Sequence, residues 1–166
     1  MTLATRLLPE LEQQLANTRK VLASVPDGHN DYAPHEKSMP LTRLAGHTAE
    51  FAGFAHLFLT LPSINMGTPE DPRKILRMST QAALLEEFDT AAARLIETLK
   101  ATPDEAFDET FTLLRQGNVV LATPRYNAYR TLFLDHMIHH RAQLGVYLRL
   151  LDVKVPATFG PTADDK

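Results

Sequence analysis

Apolar residues recur at three- and four-residue spacing along four stretches of the chain, the mark of amphipathic helices. The first predicted helix runs from about Thr2 to Ser24. Leu3, Leu7, Leu8, Leu11, Leu15, Val21 and Leu22 line it, and Pro26-Asp27-Gly28 ends it. A polar loop follows, His29 to Met39. The second helix runs from about Pro40 to Thr60 behind a Ser38 cap, with Leu44, Phe51, Phe54 and Phe58 on its inward stripe. Leu61 to Ser79 reads as a long connection with room for a helical turn at Lys74–Met78. The third helix runs from about Gln81 to Lys100, capped by Ser79 or Thr80. It turns Leu84, Leu85, Phe88, Ala92, Leu95 and Leu99 inward and Glu86, Glu87 and Asp89 to water. Thr102-Pro103-Asp104-Glu105 reads as a short capped turn.

From Phe107 to Thr123 the period changes. Thr110–Leu114 and Val119–Leu121, around Arg115-Gln116-Gly117-Asn118, predict a small β-hairpin. Thr123-Pro124 then opens a fourth helix that continues to about Leu151 with no internal proline and one glycine, Gly145. The tail from Val153 holds Pro156, Gly160 and Pro161, and either wraps back or frays. Four amphipathic segments with long connections predict an all-α four-helix bundle with a small hairpin before the last helix, in a single domain over residues 1–166.

Polar side chains interrupt two of the apolar stripes. His136 and His140 lie one turn apart, on the same face as Tyr129, Leu132, Phe133, Leu144, Tyr147, Leu150 and Leu151. His139 falls at the edge of that stripe, and Arg141 points away from it. Imidazoles at this spacing can converge on one metal ion; alternatively they are core histidines satisfied by hydrogen bonds. His47 is a third metal-competent group, on the stripe of the second helix, whereas His56 is expected in solvent on the opposite face. Bundles make metal sites from inward side chains of facing helices, which suits His47, His136 and His140. Glu50, one turn from His47, is a candidate to hold an imidazole N–H, against the plainer reading of a surface carboxylate. Gln143 and Tyr147 either line the pocket or pack in it.

Composition narrows the rest. With 166 residues, 44% hydrophobic and 22% charged, the chain is an ordinary globular protein. A net charge of −3 and no Lys/Arg cluster give no reason to expect nucleic acid as a partner. The absence of cysteine excludes disulfides, thiolate metal sites and cysteine nucleophiles. No run approaches a membrane-spanning length, and Met1–Leu15, with Glu10 and Glu12, does not read as a signal peptide. A cytoplasmic location without membrane attachment is the expectation.

Several motifs together are specific. These are Pro34-His35-Glu36-Lys37-Ser38-Met39, Leu44-Ala45-Gly46-His47, His136-Met137-Ile138-His139-His140-Arg141-Ala142-Gln143-Leu144, and the ending Val155 to Asp164. Over nearly its whole length the chain resembles the DinB-like damage-inducible proteins, a superfamily that includes YfiT-type proteins. The resemblance implies an up-down-down-up bundle, usually a homodimer. It also implies a divalent metal, zinc or nickel, held by His47, His136 and His140, with His139 outside the ligand set. Two functions are then expected. One is a metal-dependent enzyme acting on a small molecule, either a transferase using a low-molecular-weight thiol or a hydrolase. The other is a non-catalytic, metal-stabilised dimer that binds a ligand in a stress response. No general base accompanies the histidines, which keeps the second open.

Overall fold

Thr2 Oγ1 accepts a hydrogen bond from the Thr5 amide at 3.2 Å and opens helix α1, Leu3–Leu22. The computed structural model, which describes residues 1–165, places α2 at Leu41–Thr60, strand β1 at Ser63–Met66, and α3 at Gln81–Ala101. A 3-10 turn, Asp104–Phe107, leads to β2, Thr110–Arg115, and β3, Asn118–Pro124. The last helical stretch has three parts. These are α4, Arg125–Asn127, a π-helical segment, Ala128–Asp135, and α5, His136–Leu150. The protein is mostly helical with one small sheet.

Helix α3 opens as expected, on Thr80 Oγ1 accepting from the Ala83 amide at 3.2 Å. Helix α2 does not use Ser38. Pro40 stands at its N-cap without a side-chain bond, and the loop satisfies the first amides instead. Leu41 N donates to the Tyr32 carbonyl at 2.8 Å and Thr42 N to that of Asn30 at 3.0 Å. The loop before α2 is thereby stitched to the helix.

The long connection also departs from expectation. Ser63–Met66 forms a strand, parallel to β2 from Ser63↔Thr112 to Met66↔Arg115. With the antiparallel β2–β3 hairpin this makes a three-stranded sheet, order β1-β2-β3, instead of a lone hairpin. Gln116 and Gly117 turn the hairpin with φ of 49° and 82°, the left-handed pair that matches strand twist. The strand β1 was missed because it is four residues long with one buried side chain, Ile64. Nor do Lys74–Met78 form a helical turn. They run extended across α2, where Met78 N donates to the Thr42 carbonyl at 3.0 Å and Thr42 Oγ1 to that of Met78 at 2.6 Å. Gly46 makes the crossing possible, since a Cβ there would lie 2.3 Å from the Leu76 carbonyl oxygen.

Strand β3 extends through Pro124, which also stands at the N-cap of the last helical stretch as expected, without a side-chain bond; Arg125 N donates to the Glu109 carbonyl at 2.8 Å. The Arg125 guanidinium is buried and donates to the Phe58 and Leu61 carbonyls at 2.6 and 2.7 Å, and to Glu109 Oε2 at 2.9 Å. It ties the end of α2 to the base of the sheet.

The core lies where α2 packs on α3 and α5, and α1 on α3 and α5. Phe51, Phe88, Phe107, Phe111, Tyr129 and Phe133 are fully enclosed, and Phe58 is buried. Each buried phenylalanine contributes about 1.5–3 kcal/mol from apolar surface removed from water. Leu44, Phe54, Leu84, Leu95 and Leu99 are buried as expected, with Leu85 and Ala92 at the margin. Leu150, placed on the inward stripe by spacing, is exposed. The tail folds back, with Asn17 Nδ2 donating to the Thr158 carbonyl at 3.0 Å and Arg149 paired to Asp164. Among the described residues no helix is long and apolar enough to cross a membrane.

Candidate metal centre

His47 projects from the second turn of α2, and His136 and His140 from the first two turns of α5. The three offer ring nitrogens that all lie within 4.8 Å of one another. Ring centroids are 4.5 Å apart for His47 and His140, 4.7 Å for His136 and His140, and 5.7 Å for His47 and His136. Phe51 forms the apolar floor, 4.7 Å from both the His47 and the His136 rings. His140 is buried, His47 half-buried, and the outer edge of His136 reaches solvent. The cluster therefore opens at the surface.

The tautomers follow from the partners. His47 Nδ1 stands 2.5 Å from Glu50 Oε1, a separation that requires a proton between them, so Nδ1–H donates to the carboxylate. The Arg43 Nη2 contact to the same nitrogen, at 3.1 Å, is then not a hydrogen bond to it. His140 Nδ1 donates to Gln143 Oε1 at 2.8 Å. The Leu132 carbonyl, one turn back, is the smallest influence on the His136 ring and the one that raises it. His47 and His140 thus each have one nitrogen committed to the protein and the other left as a lone pair facing the cluster. Oriented lone pairs of this kind are what a metal-binding histidine needs.

Glu50 is the part least visible from sequence. It is buried, not a surface carboxylate, and makes four hydrogen bonds. Besides His47, Arg43 donates to both its oxygens, at 2.9 and 3.3 Å, and the Leu76 amide donates at 2.9 Å. Burial alone would push its carboxyl up; the bonds from His47, Arg43 and Leu76, with the Arg43 charge, outweigh that and hold it below the usual range. A charged carboxylate at Nδ1 makes His47 a stronger electron donor at its other nitrogen.

The His140 ring is held well below the ordinary histidine value, to about 4, by burial first and then by neighbouring imidazoles, against the Gln143 bond. His136 is lowered by desolvation of its inner face against Phe51, then by His47 and His139. Crowded imidazoles resist protonation because one added charge is repelled by the next. At neutral pH both are neutral, the form that binds a cation.

The remaining histidines are not part of the three-nitrogen group, although the His139 ring lies 4.9 Å from that of His140. His139 Nε2 accepts from Gln143 Nε2 at 3.1 Å, so its lone pair points away from the cluster. His56 is half-buried, not solvated: its Nδ1 lies 2.7 Å from Thr98 Oγ1. His35 Nδ1 accepts the Lys37 amide in the loop. Tyr147 donates to the Met39 carbonyl at 2.9 Å and, with Gln143, borders a cavity of about 380 Å³ that His140 also lines.

A model of the DinB family matches residues 1–165. The chain belongs to the DinB family. Two crystal structures are similar in fold. A DinB-like protein from Bacillus subtilis is 18% identical, with a TM-score of 0.67 over 92% of this chain and 97% of that one. A DinB-like protein from Bacillus cereus ATCC 10987 is 18% identical, with a TM-score of 0.66 over 92% and 95%. No curated protein matches the chain. The DinB fold thus brings together the three histidines that spacing and resemblance picked out. Arg43, the Leu76 amide and the Leu132 carbonyl had no sequence signal, because each reaches the site through a contact that only the folded chain makes.

Proposed function

We propose that this DinB-family protein is a metal-dependent enzyme whose His47, His136 and His140 hold one divalent ion, zinc or nickel. The observation that carries the reading is the set of three ring nitrogens within 4.8 Å of one another, two of them on rings fixed by a partner on the opposite nitrogen. Neutral imidazoles suit zinc and nickel among the common divalent ions. Three protein ligands leave a coordination position for a reactant, the arrangement of catalytic and not of closed structural sites. Bound there, the ion supplies Lewis acidity that makes a thiolate or hydroxide available near neutral pH.

The chain's own residues do the rest. Glu50 and Gln143 fix the rings of His47 and His140, Phe51 keeps water from the inner side, and the cavity beside His140 receives a small-molecule substrate. The reaction type is transfer to or from a low-molecular-weight thiol, or hydrolysis. Its architecture is a single-domain, up-down-down-up bundle working as a cytoplasmic homodimer, with no nucleic acid or membrane as partner. Exposed Val146, Leu150 and Phe159 supply apolar surface for the second copy.

A second reading rests on a specific observation. The nearest carboxylate, Glu50, is committed to His47 and Arg43 and is not free to move a proton for a substrate. A non-catalytic, metal-stabilised ligand-binding dimer in a stress response follows from that. Elemental analysis of untagged protein, beside a His136→Ala variant, is the test. About one zinc or nickel per chain, lost in the variant, is expected; no metal in either would leave the three histidines as unoccupied core groups.

A further inference from the structure

We propose that the cavity beside His140 takes a small carboxylate-bearing molecule, with Lys37 receiving the carboxylate while another atom of the ligand reaches the histidine cluster. The inference rests on the metal reading above and names the ligand class for that site.

Several polar groups around the cavity are already used within the protein. Tyr147 spends its hydroxyl hydrogen on the Met39 carbonyl. Gln143 is taken by His140 on its oxygen and by His139 on its nitrogen. Besides the second hydrogen of the Gln143 amide, two side-chain donors remain, the Lys37 ammonium and the Ser38 hydroxyl, both in the motif before α2. Among the described residues Lys37 pairs with no carboxylate. No acidic side chain lines the cavity, and Leu44 and Val146 supply apolar wall. Glu50, the carboxylate at the histidines, is buried behind His47 and neutralised by Arg43, and Glu36, next to Lys37 in the chain, does not line the cavity. The cavity therefore carries uncompensated positive charge, which a divalent ion at the histidines would increase. That field selects an anion.

Lys37 is an exposed lysine, and exposed lysines are ordinarily just solvated. What separates this one is a held position. Its own amide donates to His35 Nδ1 at 3.1 Å. The same loop is pinned at Tyr32 and Asn30 to the start of α2 and at Met39 to Tyr147, and the Tyr32 and Tyr147 rings meet edge to face at 6.1 Å. One lysine with one hydroxyl matches the single charge of a carboxylate; a phosphate dianion calls for more donors than line this wall. At about 380 Å³ the cavity lies within the ~300–1,000 Å³ usual for small-molecule sites.

Thiol probes on the cobalt(II)-loaded full chain test this. 3-Mercaptopropionate and 2-mercaptoethanol each bring a thiol, and only the first brings a carboxylate. Binding is read from the thiolate-to-cobalt absorption, in wild type, Lys37→Met and Lys37→Glu, at low and high salt. Comparing the affinity ratio of the two probes between variants cancels their different thiol acidities. The preference for the mercaptocarboxylate should fall about fivefold in Lys37→Met and further in Lys37→Glu, with 2-mercaptoethanol unchanged and the effect shrinking in high salt. An identical ratio in all three proteins, or cobalt spectra that respond to neither thiol, overturns the inference while leaving the metal site standing. A chain that binds no cobalt overturns the metal reading and this inference with it.

Discussion

Adjacent residues on one helix, His140 and Arg141, are both buried and polar, and they meet opposite circumstances. Arg141 faces α1. Its guanidinium donates to the Gln14 carbonyl and Thr18 Oγ1, both at 3.1 Å, and to Gln14 Oε1 at 2.8 Å, with Phe159 stacked 5.3 Å away. His140 faces α2. It has one partner, Gln143, and its other nitrogen points at two more imidazoles in the same condition. Buried polar groups are nearly always satisfied within the protein. Arg141 follows that rule and reads as architecture. The ring nitrogens of the three histidines face one another within 4.8 Å, at a cluster that opens to solvent, in an arrangement able to hold a metal ion.

That contrast can be broken in four ways. The largest effect is expected from His140→Ala, which should abolish stoichiometric metal binding by dialysis and elemental analysis. The metal-free chain should lose no more than about 1–2 kcal/mol in urea unfolding. Metal content equal to wild type after dialysis would refute it. Next comes Arg141→Ala, with the opposite pattern. It should cost about 3 kcal/mol, because Gln14 and Thr18 lose a buried partner, while zinc stoichiometry at low temperature stays intact. Equal loss of metal and stability in both variants would erase the distinction between the two faces.

Glu50→Gln sharpens the picture of the histidine side. Removing the charge behind His47 should weaken zinc about 10- to 100-fold in a chelator competition, with one ion still bound at saturation. An unchanged affinity would make Glu50 merely a partner of Arg43.

The smallest effect is a pH dependence. In the metal-free protein His140 titrates at about 4, below the ordinary 6.5 of an unfolded chain. Between those values the unfolded state holds more protons, so stability falls as pH drops from about 6.5 and levels near 4. On the order of 2 kcal/mol should be lost between pH 7 and 4.5 through this group, and a His140→Gln variant should show a shallower fall. Equal slopes would place the acid sensitivity elsewhere, for example at His136, whose ring is also held below the ordinary histidine value, first by burial.

The three long helices before the hairpin, the hairpin itself and the three histidines were all legible along the chain. Each rests on a local cause: a 3.6-residue apolar period, a Gly-containing turn between alternating strands, and an i, i+4 pair. The π-helical segment was not. It hydrogen-bonds one residue further along than an α-helix and leaves no composition mark. A wheel drawn at a uniform α pitch therefore carries the wrong phase across Ala128–Asp135. This explains why His136, placed mid-stripe with Tyr129 by spacing, emerges with an edge in solvent while Tyr129 is fully buried.

The sequence by itself determined the absence of cysteine, and it determined the helical periodicity and which histidines share a face because both depend on neighbours within a turn or two. Only the tertiary structure decided that Glu50 is a buried charge and that an extended strap from residue 72 to 79 crosses α2 at Gly46. The same holds for a small sheet that pairs residues some fifty positions apart and for Lys37 at the mouth of a cavity bounded by α5. Those outcomes depend on contacts between segments distant in sequence, whose formation is set by packing and hydrogen-bond satisfaction across the whole fold and not by any local preference.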